Sequence, residues 1–195
     1  MKTRLTLFFI AVASFFVQAQ NTEACTETLS LMSTSVKAKD VTAYDYLTTL
    51  RKDCPSFHKS IYSLGEFAVK LKIEKATTPQ DKEKYVRDLL KLYDEHDQYF
   101  PNNGAGNKMK KGLALFENKI GTSDEVFQLL DVAFKTDYAN CKYAKAMYVY
   151  FEILVNNHKA NKGVELQQVF DKYDDISKKL DEEEKELSEE NDGFL

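Results

Sequence analysis

The chain has no tryptophan, three prolines and only seven glycines among its 195 residues. Proline and glycine punctuate strands and tight turns, so their scarcity argues against an all-β fold. The three histidines, His58, His96 and His158, lie far apart and share no ligand spacing, which leaves no metal site to read. Nucleophilic catalysis has no foothold either. There is no Gly-x-Ser-x-Gly elbow, no Ser-x-x-Lys with its supporting elements, and no Cys–His pair in a recognisable context. Gly104-Ala105-Gly106-Asn107 lacks the second half of a phosphate loop and any preceding strand, and reads as a flexible connection. The acid-rich Asp94-Glu95-His96-Asp97 places its side chains around a helix rather than on one face. Asp171, Asp174 and Asp175 do share a face, but without the glycine-containing loop of a calcium site. These absences predict a protein that is not an enzyme and needs neither cofactor nor metal.

Long apolar runs are missing too, with one exception. Leu5 to Val17 is interrupted only by Thr6 and Ser14 and follows Lys2 and Arg4. That length suits the apolar stretch of an export signal and is too short for the ~20 residues of a spanning helix. Val17-Gln18-Ala19 predicts cleavage before Gln20, so residues 1–19 read as a signal peptide. Cys25 stands too far past the apolar boundary to be a lipid-attachment site. Losing Lys2 and Arg4 with the leader takes the formal charge of −4 down by two. A net acidic surface speaks against nucleic acid or anionic lipid as the main partner.

What remains is rich in Ala, Leu, Glu and Lys and carries apolar residues at helical spacing. Eight segments follow. The first, Glu23 to Lys39, has Leu29, Met32 and Val36 in register, and Asp40 is placed to cap the next. The second runs from Val41 to Asp53 and stops at Cys54-Pro55, because proline excludes the helical region for its predecessor. The third, Ser56 to about Ala76, repeats Ile61, Leu64, Phe67, Ala68 and Leu71. Thr78-Pro79-Gln80-Asp81 starts the fourth, with Thr78 as cap and Pro79 in the first helical position. Pro101 to Gly106 is the clearest loop. The fifth segment, Asn107 to Ile120, ends at Gly121, and Thr122-Ser123-Asp124-Glu125 is a capping box that opens the sixth, through Phe134. The seventh spans about Ala139 to His158. The eighth follows Asn161-Lys162-Gly163 and keeps an apolar stripe to Leu180. Beyond it, residues 181–195 form an acidic tail whose charges repel. The domain plan is thus a signal peptide at 1–19, a helical-repeat domain at 20–180 and an acidic tail at 181–195.

The even-numbered segments share an apolar pattern. Aligned on Leu47, Leu90, Leu130 and Phe170, they recur at a period of about 40 residues, the length of one helical hairpin. A single hairpin cannot bury its own apolar faces, and stacking does so. The predicted fold class is therefore all-α, with antiparallel helical hairpins stacked as a solenoid. At Ala43, Leu47 and Pro55, and again at Leu64-Gly65, the chain resembles the tetratricopeptide family. There a small residue, a bulky one and a closing proline mark the second helix, and a Leu-Gly pair marks the first. The chain departs from that family in lacking the first-helix tryptophan and in its longer period, since the family repeats every ~34 residues. It is most similar to a divergent, TPR-like exported bacterial protein. That resemblance implies a concave groove that binds a protein or peptide.

Cysteine spacing gives a sharper expectation. The midpoint of Cys25 and Cys54 falls on the Lys39-Asp40 turn, so in an antiparallel hairpin the two face each other at its open end. In an oxidising compartment they are expected to form a disulfide, the alternative being two buried thiols. Cys141 is then left over, near the start of the seventh segment, as a buried thiol or a reactive one. Candidate partner-binding residues are Tyr46, Tyr93, Tyr143, Tyr148 and Tyr150, each of which could instead belong to the core. The function expected is an exported, periplasmic or secreted, non-enzymatic module for protein or peptide binding in the cell envelope. A small-ligand carrier, or an enzyme whose polar residues meet only in three dimensions, is the alternative.

Overall fold

The structure, a computed structural model, describes residues 22–192. The leader read at residues 1–19 lies outside them. The described residues are all-α. They comprise eight α-helices and a 3-10 turn, with no strand among them. The helices are α1 (22–37), α2 (Ala43–Asp53), α3 (Ser60–Lys75), α4 (Pro79–Tyr99), α5 (Asn107–Asn118), α6 (Ser123–Thr136), α7 (Ala144–Lys159) and α8 (Leu166–Asp192), with the 3-10 turn at Tyr138–Asn140.

Local chemistry sets most of these bounds. The Asp40 carboxylate accepts the Thr42 N–H at 2.9 Å and turns the chain between α1 and α2. The Thr78 hydroxyl accepts the Asp81 N–H at 3.0 Å with Pro79 at the first helical position, and the Thr122 hydroxyl accepts the Glu125 N–H at 3.1 Å. Two bounds depart from the sequence expectation. Helix α7 begins at Ala144, five residues later than its periodicity suggests, because Tyr138–Asn140 closes a 3-10 turn and Tyr143 is extended. The Tyr143 hydroxyl is committed to the Ala105 carbonyl at 3.0 Å, which holds this stretch out of the helix. Helix α8 continues beyond Leu180 to Asp192. Lys142 reaches Glu186 at 2.9 Å, and Lys179 meets Glu183 at 2.5 Å, so part of the acidic repulsion is neutralised along the helix.

The chain divides into two compact units, Met1–Pro101 and Asn102–Leu195. In the first, α2 packs on α3 and α3 on α4. Leu47, Leu50, Ile61, Val69, Val86 and Leu92 of these helices, with Met32 of α1, are fully buried. Gly65 makes the α2–α3 approach possible. A Cβ there would stand 2.7 Å from Leu47 Cδ1, so the leucine occupies the space a side chain would take. Tyr62 stacks on His96 with ring centroids 5.2 Å apart, and its hydroxyl donates to the Pro55 carbonyl at 2.9 Å. On the far side of α2, Arg51 donates to Glu95 at 2.6 and 3.0 Å and to Asp88 at 2.9 and 3.1 Å. The Tyr44 hydroxyl donates to the same Asp88 at 2.9 Å. Burial, then the Asp88 charge, raises the Tyr44 pKa well above the usual phenol range, so this donor keeps its proton. Cys25 and Cys54 are joined by a disulfide that ties α1 to the end of α2.

In the second unit α6 packs on α5 and α7, and α7 packs on α5 and α8. Gly112 repeats the device of Gly65, since a Cβ there would lie 2.6 Å from Leu130 Cγ. The Tyr150 hydroxyl donates to Asp131 at 2.6 Å. Burial works against the Asp131 carboxylate, but hydrogen bonds from Lys135 and Tyr150 outweigh it and lower its pKa. Two lysines of α8 point inward: Lys172 lies 4.6 Å from the centre of the Phe134 ring, and Lys179, 3% exposed, lies 4.8 Å from that of Tyr138.

Candidate functional groove

Helix α3 is apolar on almost every face. Ile61, Ala68, Val69 and Ile73 are consumed by the core, which leaves Leu64, Phe67 and Leu71 over at i, i+3 and i+7. Helix α1 has a matching surplus. Met32 faces the core, and Leu29, Ser33 and Val36 form a second stripe. The two stripes line one side of the first unit in step.

Between them run two open depressions. The larger, about 510 Å³, is lined by Thr26, Leu29, Ser30, Ser33, Thr34 and Lys37 of α1, and by Phe57, His58, Ser60 and Leu64. The smaller, about 230 Å³, lies further along both helices and is lined by Val36, Lys39, Phe67, Lys70, Leu71 and Glu74. Thr26 to Lys39 therefore advances beside Ser60 to Glu74, and the depressions share both helices as walls. Phe67 is the most open apolar wall residue, 58% exposed, whereas Leu29, Phe57, Leu64 and Leu71 are half-buried.

The polar groups here suit recognition. The Thr26 and Thr34 hydroxyls donate to the carbonyls of Thr22 and Ser30, at 2.8 and 3.0 Å, so each oxygen remains able to accept. His58 Nδ1 accepts the Ser60 N–H at 3.1 Å at the start of α3, so in the neutral ring Nε2 carries the proton. Lys37 and Lys39 stand on one wall, and Lys70 on the other is paired with Glu66 at 2.6 Å. Apolar side chains at helical intervals, interleaved with hydroxyls and edged by lysines, can hold a peptide through its side chains and its backbone N–H groups.

The sequence candidates lie elsewhere, and none of the five tyrosines lines either depression. Tyr93 and Tyr150 are core residues, 3% and 1% exposed, so neither offers a surface to a partner. Burial claims them because each packs a full ring between helices, and Tyr150 contacts both Phe127 and Phe134. Tyr46 is half-buried on α2. Tyr143 is half-buried before α7, with Lys110 5.7 Å above its ring. Tyr148 is the open one, at 64%. Phe57 stands before α3 and outside its helical period, so no periodic signal marks it as a groove residue. Phe67 belongs to that period, and its signal as a groove residue is the surplus of apolar positions on α3 over what one buried face needs.

Cys141 is fully buried, with its thiol 3.4 Å from the Asp137 carbonyl. Burial, then the Asp137 charge, raises its pKa to about 11. At pH 8 about one thiol in a thousand is ionised, which leaves little nucleophile. Iodoacetamide at pH 8 is therefore expected to leave the native chain unlabelled and to label one site once denaturant is added, as read by intact mass.

Among the described residues no group of three or more His, Cys, Asp or Glu side chains is placed to hold a metal ion, and no helix is long and apolar enough to cross a membrane. No protein-family model, curated protein or solved structure matches the chain.

Proposed function

We propose that this chain is a non-enzymatic, exported helical-repeat module that binds a protein or peptide in the cell envelope or outside the cell. The observation that carries the reading is the groove between α1 and α3, whose half-buried apolar stripes, with Phe67 open among them, are framed by hydroxyls and lysines. A soluble domain keeps such a stripe uncovered at a cost in solubility, which a binding role explains. The repeat rests on the sequence period. In each unit one leucine of that alignment seats on a glycine, Leu47 on Gly65 of the following helix and Leu130 on Gly112 of the preceding one. Each unit also carries an acidic acceptor for a tyrosine hydroxyl, Asp88 for Tyr44 and Asp131 for Tyr150. Export is supported by the leader-like segment and by the disulfide, a bond that persists in oxidising compartments.

The partner expected at the groove is an apolar peptide. A random peptide library displayed on phage, selected against the full chain, should yield sequences that bind it. Phe67→Ser, at a half-open position, should weaken a selected peptide by roughly tenfold while leaving thermal unfolding in place. Leu64→Gln should do the same from the other depression. Peptides that bind both variants as they bind the parent chain would overturn this reading of the groove.

A further inference from the structure

Helix α8 carries a second uncovered stripe. Leu166, Phe170, Tyr173, Leu180 and Leu187 are 51%, 56%, 57%, 38% and 60% exposed. With Ser177 and Glu184 they complete an unbroken 4-3-4-3-4-3 spacing, the heptad pattern of a helix that lies along another helix. The stripe beside it, about 90° round α8, holds Val169, Ile176 and Lys179 and is buried against the second unit. The apolar surface of the helix is thus wider than the face the chain itself covers. The open seam is about 32 Å long at 1.5 Å per residue, enough for three heptads of a partner. Tyr173 packs against Phe151 of α7 at 5.9 Å, so the seam is backed by the folded unit where it begins.

The charges beside the seam select the occupant. From Asp171 to Glu186 the helix carries eight acidic residues and four lysines. Two of those lysines, Lys172 and Lys179, are turned inward, with side chains only 17% and 4% exposed. Asp174 and Asp181 take the position next to the seam, and Glu184 lies within it. A second copy of α8 laid parallel would set Glu184 against Glu184, and laid antiparallel it would set Asp174 near Asp181. Either juxtaposition brings like charges together across a partly dry interface and is unfavourable. A helix with apolar residues at heptad spacing and lysine or arginine beside them meets both the seam and its acidic margin. We propose that the outward face of α8 is a docking surface, separate from the α1–α3 groove, for a cationic amphipathic helix.

The test uses the full chain and a labelled synthetic peptide of three heptads, with leucine at the two seam positions and lysine at the two flanking ones. One control carries glutamate at the flanks, and another keeps the lysines but scrambles the leucines. Fluorescence anisotropy at low ionic strength should show the lysine peptide bound and both controls weaker by roughly tenfold or more. The F170D/L180D variant should lose that binding with its helical circular dichroism unchanged. Because all four positions are exposed, the charge swap D174K/D181K should fold regardless, and it should now prefer the glutamate peptide. Equal binding of lysine and glutamate peptides, binding that survives scrambling, or an unchanged preference after the swap would each overturn the proposal. So would a dimer of the parent chain in sedimentation that F170D/L180D dissolves, since that makes a second copy the occupant.

Discussion

Replacing Cys25 and Cys54 together with serine is expected to destabilise the first unit by about 3–4 kcal/mol, as large an effect as any two side chains here should produce. The bond closes a loop with a sequence separation of 29 residues. In the chain-entropy model a loop of that length restricts the unfolded ensemble by this amount. The loop contains most of α1, all of α2 and the turn between them, so the bond fixes which face of α1 meets α2. Cys25 is itself 5% exposed, and a serine hydroxyl there would be buried in its place, which adds to the loss. Helix α1 gains most from the bond because it also supplies half of the groove. In urea the double variant should lose its first transition at markedly lower denaturant. Tm should fall by roughly 7–15 °C if the chain melts as one cooperative domain of this size. The same loss should follow from a reductant alone in the parent chain, with peptide binding at Phe67 weakened in parallel. A parent chain whose urea midpoint does not respond to reductant would show that α1 is held by packing, not by the bond.

That staple was legible in the sequence because it needed only a turn and two equal distances from it. So were the caps at Thr78 and Thr122, where one side chain and one backbone N–H three residues on decide the outcome. The start of α7 was not legible. Tyr143, Met147 and Tyr150 continue a helical period, but Tyr143 is held extended by a carbonyl 38 residues away, and no local pattern reports that. The length of α8 was hidden for a similar reason. The acidic run reads as self-repelling until Lys142, which arrives from another element, stands beside Glu183 and Glu186.

The groove shows the same limit. Tyrosines make good binding residues, and five were singled out. Yet Tyr93 and Tyr150 have a ring wide enough to fill a gap between helices, and the core took them. Phe67 was free to face outward because Leu64, Phe67 and Leu71 exceed what α3 needs to cover Ile61, Ala68 and Val69. Periodicity says that a face is apolar. Which of two apolar faces is covered depends on the helices that pack against it, and their number and order are not written in α3.

Arg51 is the other position where a single change should be felt strongly. Its guanidinium lies between two carboxylates of α4, and its side chain is 12% exposed while those of Asp88 and Glu95 are each 19%. The fork is bidentate to Glu95 and also reaches Asp88, so α2 and α4 are tied by four hydrogen bonds from one side chain. Burial alone would lower the Arg51 pKa, but its hydrogen bonds to Glu95, with the charge of Asp88, hold it above even the usual arginine range. It is therefore cationic at every accessible pH. Arg51→Met keeps the packing of the side-chain stem and removes the charge, leaving two carboxylates close together in a largely dry site. Loss of one partner from such a site costs about 3–5 kcal/mol when burial is complete, and the residual water here brings the expectation to about 2–4 kcal/mol. Arg51→Lys should cost less, because it restores the charge without the planar fork. The triple variant R51M/D88N/E95Q should recover part of the loss, because no uncompensated charge remains, although Tyr44 then donates to an amide oxygen. Urea unfolding of the three variants should rank them with R51M lowest, R51K above it, and the triple variant above R51M. A triple variant no more stable than R51M would mean that the network acts through its geometry, by holding α2 in place over α4, and that the stranded charges contribute little.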